Sequence, residues 1–156
     1  MAQTKRVAKL LLLDNGGDFL LLQRSDTHPH LAGFYDLPGG LIEPTEEPGE
    51  AVARELREET GIELSQNILS ILYTTTHMIH GKSYPTLLYM ARIDSIKPDV
   101  QISWEHKAYE WAPLERLPEV EPQLAPTYRE ALHYVRENNI IEDIDISVVK
   151  INTHAI

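Results

Sequence analysis

Hydrophobic and polar positions along this chain follow two different periods, and the changes between them mark its elements. Val7 to Leu13 is apolar and strand-length, and Asp14-Asn15-Gly16-Gly17 supplies turn residues tolerant of positive φ. Phe19 to Gln23 then reads as the returning strand of a hairpin. Ser25 to Tyr35 holds Asp26, Pro29 and Gly33, has no period and reads as a loop. After Leu37-Pro38-Gly39-Gly40 and the stretch Leu41 to Glu47 the period becomes helical. Pro48 suits the first helical turn, where its missing N–H is not needed. Gly61 suits the left-handed position just past the end. Val52, Ala53 and Leu56 form the expected buried stripe, while Glu47 falls at the N-cap, where Ser, Thr, Asp or Asn would serve better.

Further on, Ile68 to Thr76 and Thr86 to Ile93 are predicted strands joined across His80-Gly81-Lys82. Tyr109 to Ala112 is a short strand ended by Pro113, and Pro126 to Asn138 is a second helix with Tyr128, Leu132 and Val135 at helical spacing. Strands interleaved with two helices predict a mixed α/β (α+β) domain over residues 1–139. The tail from Ile140 to Ile156 alternates like a strand. It would either extend a neighbour's sheet in a homodimer or cover its own edge strand.

Composition narrows the function. The 156 residues, 42% hydrophobic and 24% charged, suit one compact domain rather than a disordered chain. With no cysteine, disulfides, thiolate metal sites and cysteine nucleophiles are excluded. Lys5, Arg6 and Lys9 precede Leu10 to Leu13 in the manner of a signal peptide, but the apolar run is too short and Asp14 ends it. No stretch approaches the ~18 apolar residues of a membrane span, so a cytoplasmic protein is expected. The net charge of −10 disfavours a nucleic-acid partner gripped through its phosphates. An anionic substrate would need a cationic bridge, for which a divalent metal is the simplest candidate.

Glu55, Glu58 and Glu59 stand at i, i+3 and i+4 on the first helix and so share one face. Their mutual repulsion costs about 0.2–0.5 kcal/mol per pair. Their place in the last two turns opposes the helix dipole by a further ~0.3–1 kcal/mol. Either this is a solvated acidic face, or its oxygens converge on a hard cation such as Mg²⁺ or Mn²⁺.

The surrounding frame decides between them. Gly40, Glu46, Arg54, Glu55, Leu56, Glu58, Glu59, Gly61 and Ile62 fit the pattern G-x5-E-x7-R-E-U-x-E-E-x-G-U, with U aliphatic, at every specified position. From average residue usage a chance match is on the order of 10⁻⁹ per starting position. The chain resembles the Nudix hydrolases. The resemblance implies an α/β/α sandwich with a mixed sheet and a loop–helix–loop motif. It also implies hydrolysis by water of a diphosphate linkage in a nucleoside diphosphate joined to another group, whether a nucleoside triphosphate, a nucleotide sugar or a dinucleotide. It carries over Glu58 and Glu59 as metal ligands for Mg²⁺, or Mn²⁺ in its place, and Glu55 as a ligand or the general base. The carbonyl of Gly39 is a further implied ligand. Arg54 and Glu46 would pair to hold loop and helix in register, with Gly40 and Gly61 as structural supports.

Outside the box, Glu105 in Ser103-Trp104-Glu105-His106 is either an additional ligand or base, as in many relatives, or a solvated loop glutamate. Tyr35 stands where the family often has tryptophan, and either lines a base or sugar pocket or packs in the core. Arg24 is either a bidentate phosphate contact or a solvated arginine. Trp104 and Trp111 read as packing residues. His28, His30, His77 and His80 lack the arrangement of a zinc site. The alternative to an enzyme is a catalytically silent nucleotide-binding module of the same fold, which would be signalled by missing box glutamates; all are present. A diphosphate isomerase of this fold would be expected to use a cysteine, and an RNA-end hydrolase a basic segment.

Overall fold

The computed structural model describes residues 4–142. Seven strands form one mixed sheet: β1 (Val7–Leu13), β2 (Phe19–Arg24), β3 (Tyr35–Asp36), β4 (Gly39–Leu41), β5 (Ser70–Ile79), β6 (Lys82–Arg92) and β7 (His106–Ala112). The helices are α1 (Pro48–Thr60), the single turn α2 (Leu117–Val120) and α3 (Pro126–Glu137). β1 pairs in parallel with β6 along its whole length, and β5 closes that side as an antiparallel neighbour of β6.

Alternation along β1 and β2 sorts their apolar side chains between two cores. Ala8, Leu10, Leu12, Leu20 and Leu22 face Val52 and Leu56 of α1. Leu11, Leu13, Phe19 and Leu21 face Tyr128, Leu132 and Val135 of α3. The sheet therefore lies between helices, as an α/β/α sandwich. On its other edge β1 splays away from β2. The two pair with each other only at Leu13–Phe19, while β4 takes up Val7 to Lys9 and β3 takes up Leu22 and Gln23. The segment 35–41 thus bridges a split in the sheet, and α1 leads away from it.

Several boundaries differ from the sequence reading. The β5–β6 turn is two residues rather than three, His80-Gly81, both at positive φ, so Lys82 already pairs with Ile79. A 3-10 turn over 66–68, capped by Ser65, delays β5 to Ser70. Pairing with β2 extends β7 back to His106. On α1 the stripe rotates slightly: Ala51 is buried with Val52 and Leu56, and Ala53 is only half-buried. Glu47 makes no side-chain cap, and Gly61 takes the left-handed conformation at φ 77°. Residues 140–142 are helical, with Ile141 in the α3-side core. The rest of the predicted strand-like tail, 143–156, lies outside the described residues.

Candidate active site

The box glutamates behave differently once folded. Glu59 is 3% exposed and its Oε1 accepts the Gly39 N–H at 2.8 Å. Burial pushes its carboxyl well above the usual range, with Lys9 relieving the effect and Asp36 adding to it. Glu55 lies beside Gly40, where a Cβ would meet its Oε1 at 2.9 Å. Burial raises its proton affinity too, eased by Arg54 and reinforced by Glu58. Glu58 keeps 54% of its side chain exposed.

Arg54 ties the acidic helix to the loop that precedes it. Its Nε donates to Glu46 Oε2 at 2.6 Å and its Nη2 to Glu46 Oε1 at 3.0 Å, a two-pronged contact. Nη1 reaches Glu55 Oε1 at 3.1 Å and Glu58 Oε2 at 3.3 Å, and Nη2 the Leu41 carbonyl at 3.3 Å. Glu46 also accepts the Glu43 N–H. Hydrogen bonding to Arg54 holds the Glu46 carboxyl below its ordinary range.

Beneath these lies a buried polar cluster that the sequence reading missed. Lys9 Nζ, in the middle of β1, donates to Asp36 Oδ1 at 2.9 Å, Leu37 O at 3.0 Å and Gly39 O at 3.1 Å. Asp36 Oδ1 also accepts the Tyr128 hydroxyl at 2.8 Å, and Oδ2 lies 3.1 Å from His106 Nε2 and 3.4 Å from Arg24 Nε. A carboxylate only accepts, so Nε2 carries the proton in that pair. His106 Nδ1 is buried without a hydrogen-bond partner. Burial alone would raise the Asp36 carboxyl, but Lys9, His106 and Arg24 together hold it well below its usual range.

Two sets of donors are candidates for a divalent cation. Asp36, Glu59 and His106 place one atom each within 4.8 Å of one another. Asp36, however, already accepts from Lys9, Tyr128 and His106 and sits beside Arg24, which leaves it closed to a cation. Glu55, Glu58 and Glu59 are hard oxygen donors of the kind Mg²⁺ and Mn²⁺ take. Glu59 Oε2 lies 4.0 Å from His106 Nε2. The Gly39 carbonyl retains a lone pair beyond the one Lys9 uses. Burial raises the proton affinity of Glu55 and Glu59, a condition that a divalent cation would relieve, so the donor set fits one.

The remaining candidates fall in different surroundings. Glu105 is 37% exposed, with Oε2 3.8 Å from His28 Nε2, and its chain neighbour His106 reaches towards Glu59. Arg24 is not solvated: only 11% exposed, it donates from Nη1 to His30 O at 2.7 Å and lies against Asp36. Tyr35 is half-buried against the α3-side core. Trp111 packs in the α1-side core as expected, with its indole N–H on Pro98 O. Trp104 does not pack: it is 69% exposed and stacks on His28. Of all these, Lys9 carried the clearest overlooked signal, a lone cation in an otherwise apolar strand.

Residues 3–135 match the family model of the NUDIX domain. The chain belongs to the Nudix family. It is 36% identical over 100 residues to the asymmetrical bis(5'-nucleosyl)-tetraphosphatase of Mus musculus, covering 63% of this chain and 65% of that protein. It is 32% identical over 114 residues to nucleoside triphosphatase NudI of Escherichia coli O81 (strain ED1a), covering 68% of this chain and 80% of that one. The chain therefore spans just under two thirds of the mouse relative's length. Among solved structures, the MutT protein from Methanosarcina mazei Go1 superposes with a TM-score of 0.72 at 30% identity, covering 89% of this chain and 99% of the other. Among the described residues, no helix is long and apolar enough to cross a membrane.

Proposed function

We propose that this chain hydrolyses a diphosphate linkage in a nucleotide-like small molecule, with Mg²⁺ or Mn²⁺ as cofactor. The observation that supports the reading is the complete set of motif glutamates: Glu55 and Glu59 of α1 beside Gly40 and Gly39 of β4, Glu58 on the same helix, and Glu46 tied to them through Arg54. The mouse and E. coli relatives, by their names, act on dinucleoside tetraphosphates and nucleoside triphosphates. These two substrate classes, with nucleotide sugars, make up the panel to test.

Glu58, Glu59 and the Gly39 carbonyl would hold the metal. When bound, the ion neutralises the diphosphate and acidifies a water for attack on phosphorus. Glu55 would serve either as a further ligand or as the base that accepts a proton from the attacking water. Partial burial raises its proton affinity toward that of an effective general base. Arg54 touches Glu46, Glu55, Glu58 and the Leu41 carbonyl, so it keeps the carboxylates aimed rather than reacting itself.

Phosphate or nucleotide release across the panel, with Mg²⁺ and then with EDTA, tests this directly. Turnover of one class that disappears with the chelator is the expected result. Mg²⁺ binding with no turnover of any class would favour the silent binding module. At the rim, Glu105→Ala is expected to lower kcat by about 10-fold or more, as loss of a supporting ligand or base would. An unchanged rate would leave Glu105 a solvated loop residue paired with His28.

A further inference from the structure

A buried ammonium is an expensive way to fill a strand position. Replacing a buried ion pair by apolar residues of similar volume is often neutral or stabilising. Yet Lys9 sits 4% exposed in β1, between Ala8 and Leu10 that are fully buried. Where a sequence keeps a feature that opposes stability, function is the place to look.

The three acceptors of Lys9 all belong to one short segment, Asp36 to Gly39, which bridges the split between β1 and β2. Gly39 is the sensitive point in that segment. Its φ is +128°, and a Cβ there would lie 2.2 Å from Ala8 O, so no side chain can be added. Glycine's freedom leaves the two peptide planes on either side of its Cα without intrinsic restraint. Here each plane is held from outside. Lys9 grips the Gly39 carbonyl at 3.1 Å, and the Gly39 N–H grips Glu59 Oε1 at 2.8 Å. The Pro38 carbonyl is fixed as well, by Leu10 N–H at 2.9 Å.

From this geometry we infer that Lys9 is a positioning residue: its ammonium sets the direction of the Gly39 carbonyl and, through the Gly39 N–H, the placement of the Glu59 carboxylate. The inference rests on the proposed reading in which those two groups hold the metal. In this role Lys9 contacts neither substrate nor metal. It acts by fixing two donors before either arrives, and Asp36 is the counter-charge that makes the ammonium tolerable in the core.

The test separates this role from simple packing. Lys9→Met alone would take from Asp36 its 2.9 Å ammonium partner and leave it with Tyr128, His106 and Arg24, so the informative protein is the double variant Lys9→Met/Asp36→Asn, in which both charges of the pair are removed together. Three quantities are read: the thermal midpoint, the Mn²⁺ dissociation constant by electron paramagnetic resonance, and kcat and KM on the substrate found for the wild type. The expected result is a folded protein with a midpoint above that of Asp36→Asn alone, with Mn²⁺ bound about 10–100-fold more weakly and kcat reduced by a similar factor. KM should change by no more than about threefold, the pattern for loss of an interaction that serves the reaction rather than binding. A stable double variant with wild-type Mn²⁺ affinity and kcat would overturn the inference. If the double variant does not fold, Lys150→Arg protein labelled with ¹⁵N-lysine answers the question. Among the described residues the other lysines are exposed, and with Lys150 replaced a slowly exchanging ammonium signal is assigned to Lys9. That signal is expected, and it should move when Mg²⁺ is added. Its absence, or indifference to Mg²⁺, would also overturn the role. Wild-type silence on every nucleotide would remove the hydrolase reading instead, while the Mn²⁺ measurement would still report on Lys9.

Discussion

Glu58→Gln is expected to lower turnover by at least about 10²-fold while leaving the fold untouched, on the scale of losing a charged group that works directly on the reaction. The side chain is 54% exposed, and its hydrogen bond is the 3.3 Å contact from Arg54. Surface changes of that kind alter stability by no more than about 0.5 kcal/mol. Glutamine keeps the shape and one carbonyl oxygen but removes the negative charge, so the change isolates what the carboxylate does for a cation. Single-turnover rates and thermal midpoints measured side by side check it. A rate within a factor of about three of wild type, with the midpoint unmoved, would dismiss Glu58 as a ligand.

A second large effect is expected on stability. Asp36→Asn leaves the Lys9 ammonium buried with carbonyls and a neutral amide for company. Removing one partner of a buried ion pair costs about 3–5 kcal/mol. Against a total of roughly 5–15 kcal/mol for a domain, that is a large share. At about 2–4 °C per kcal/mol for a chain of this size, the thermal midpoint should fall by about 6–20 °C. The pH dependence follows from the direction of the shift. Burial pushes the Asp36 carboxyl up, but Lys9, His106 and Arg24 more than reverse this, so the folded value lies below the unfolded one. The contribution of Asp36 is then fully present above the ordinary carboxylate value of about 4, and is lost only as the pH falls through the lower folded value. The difference in midpoint between wild type and Asp36→Asn should hold steady from pH 7 to about 5 and shrink in stronger acid. A difference under about 1 kcal/mol at neutral pH would mean the pair is not desolvated as described.

Much of this architecture can be read without coordinates. The apolar run from Val7, the Asp14 to Gly17 turn, α1 with Pro48 and Gly61 at its ends, and the stripe of Tyr128, Leu132 and Val135 each follow from a local period or a local turn requirement. β3 and β4 are two and three residues long, too short to have a period, and they exist because they fill the split in the sheet. The His80-Gly81-Lys82 connection is legible, and only its length of two residues waits on the pairing of Ile79 with Lys82. The box names Glu46, Arg54, Glu55, Glu58 and Glu59, but not that Glu59 turns inward to Gly39 while Glu58 stays at the surface. The buried cluster was out of reach for a different reason. Lys9, Asp36, His106 and Tyr128 come from separate elements, and Asp36 lies 27 residues from Lys9 and 92 from Tyr128. No local pattern links them. Lys9 could have been flagged as a cation in need of a buried partner, but its partner could not be named.

The split between β1 and β2 divides the site into parts with unequal freedom to evolve. The floor, residues 36–41, is bonded into both strands and to Glu59, and at Gly39 it has no room for even a methyl group. The rim is anchored more lightly: Ser25 N–H on Glu105 O, the surface pair Lys107–Asp26, and the stacking of His28 on exposed Trp104. Insertions and substitutions in the rim can remodel what the molecule selects without reaching the groups that would do the chemistry. On the proposed reading, a lineage built on this scaffold could change its diet by rewriting these loops, and a library aimed at new leaving groups should be confined to 26–34 and 103–104, with Glu105 held fixed.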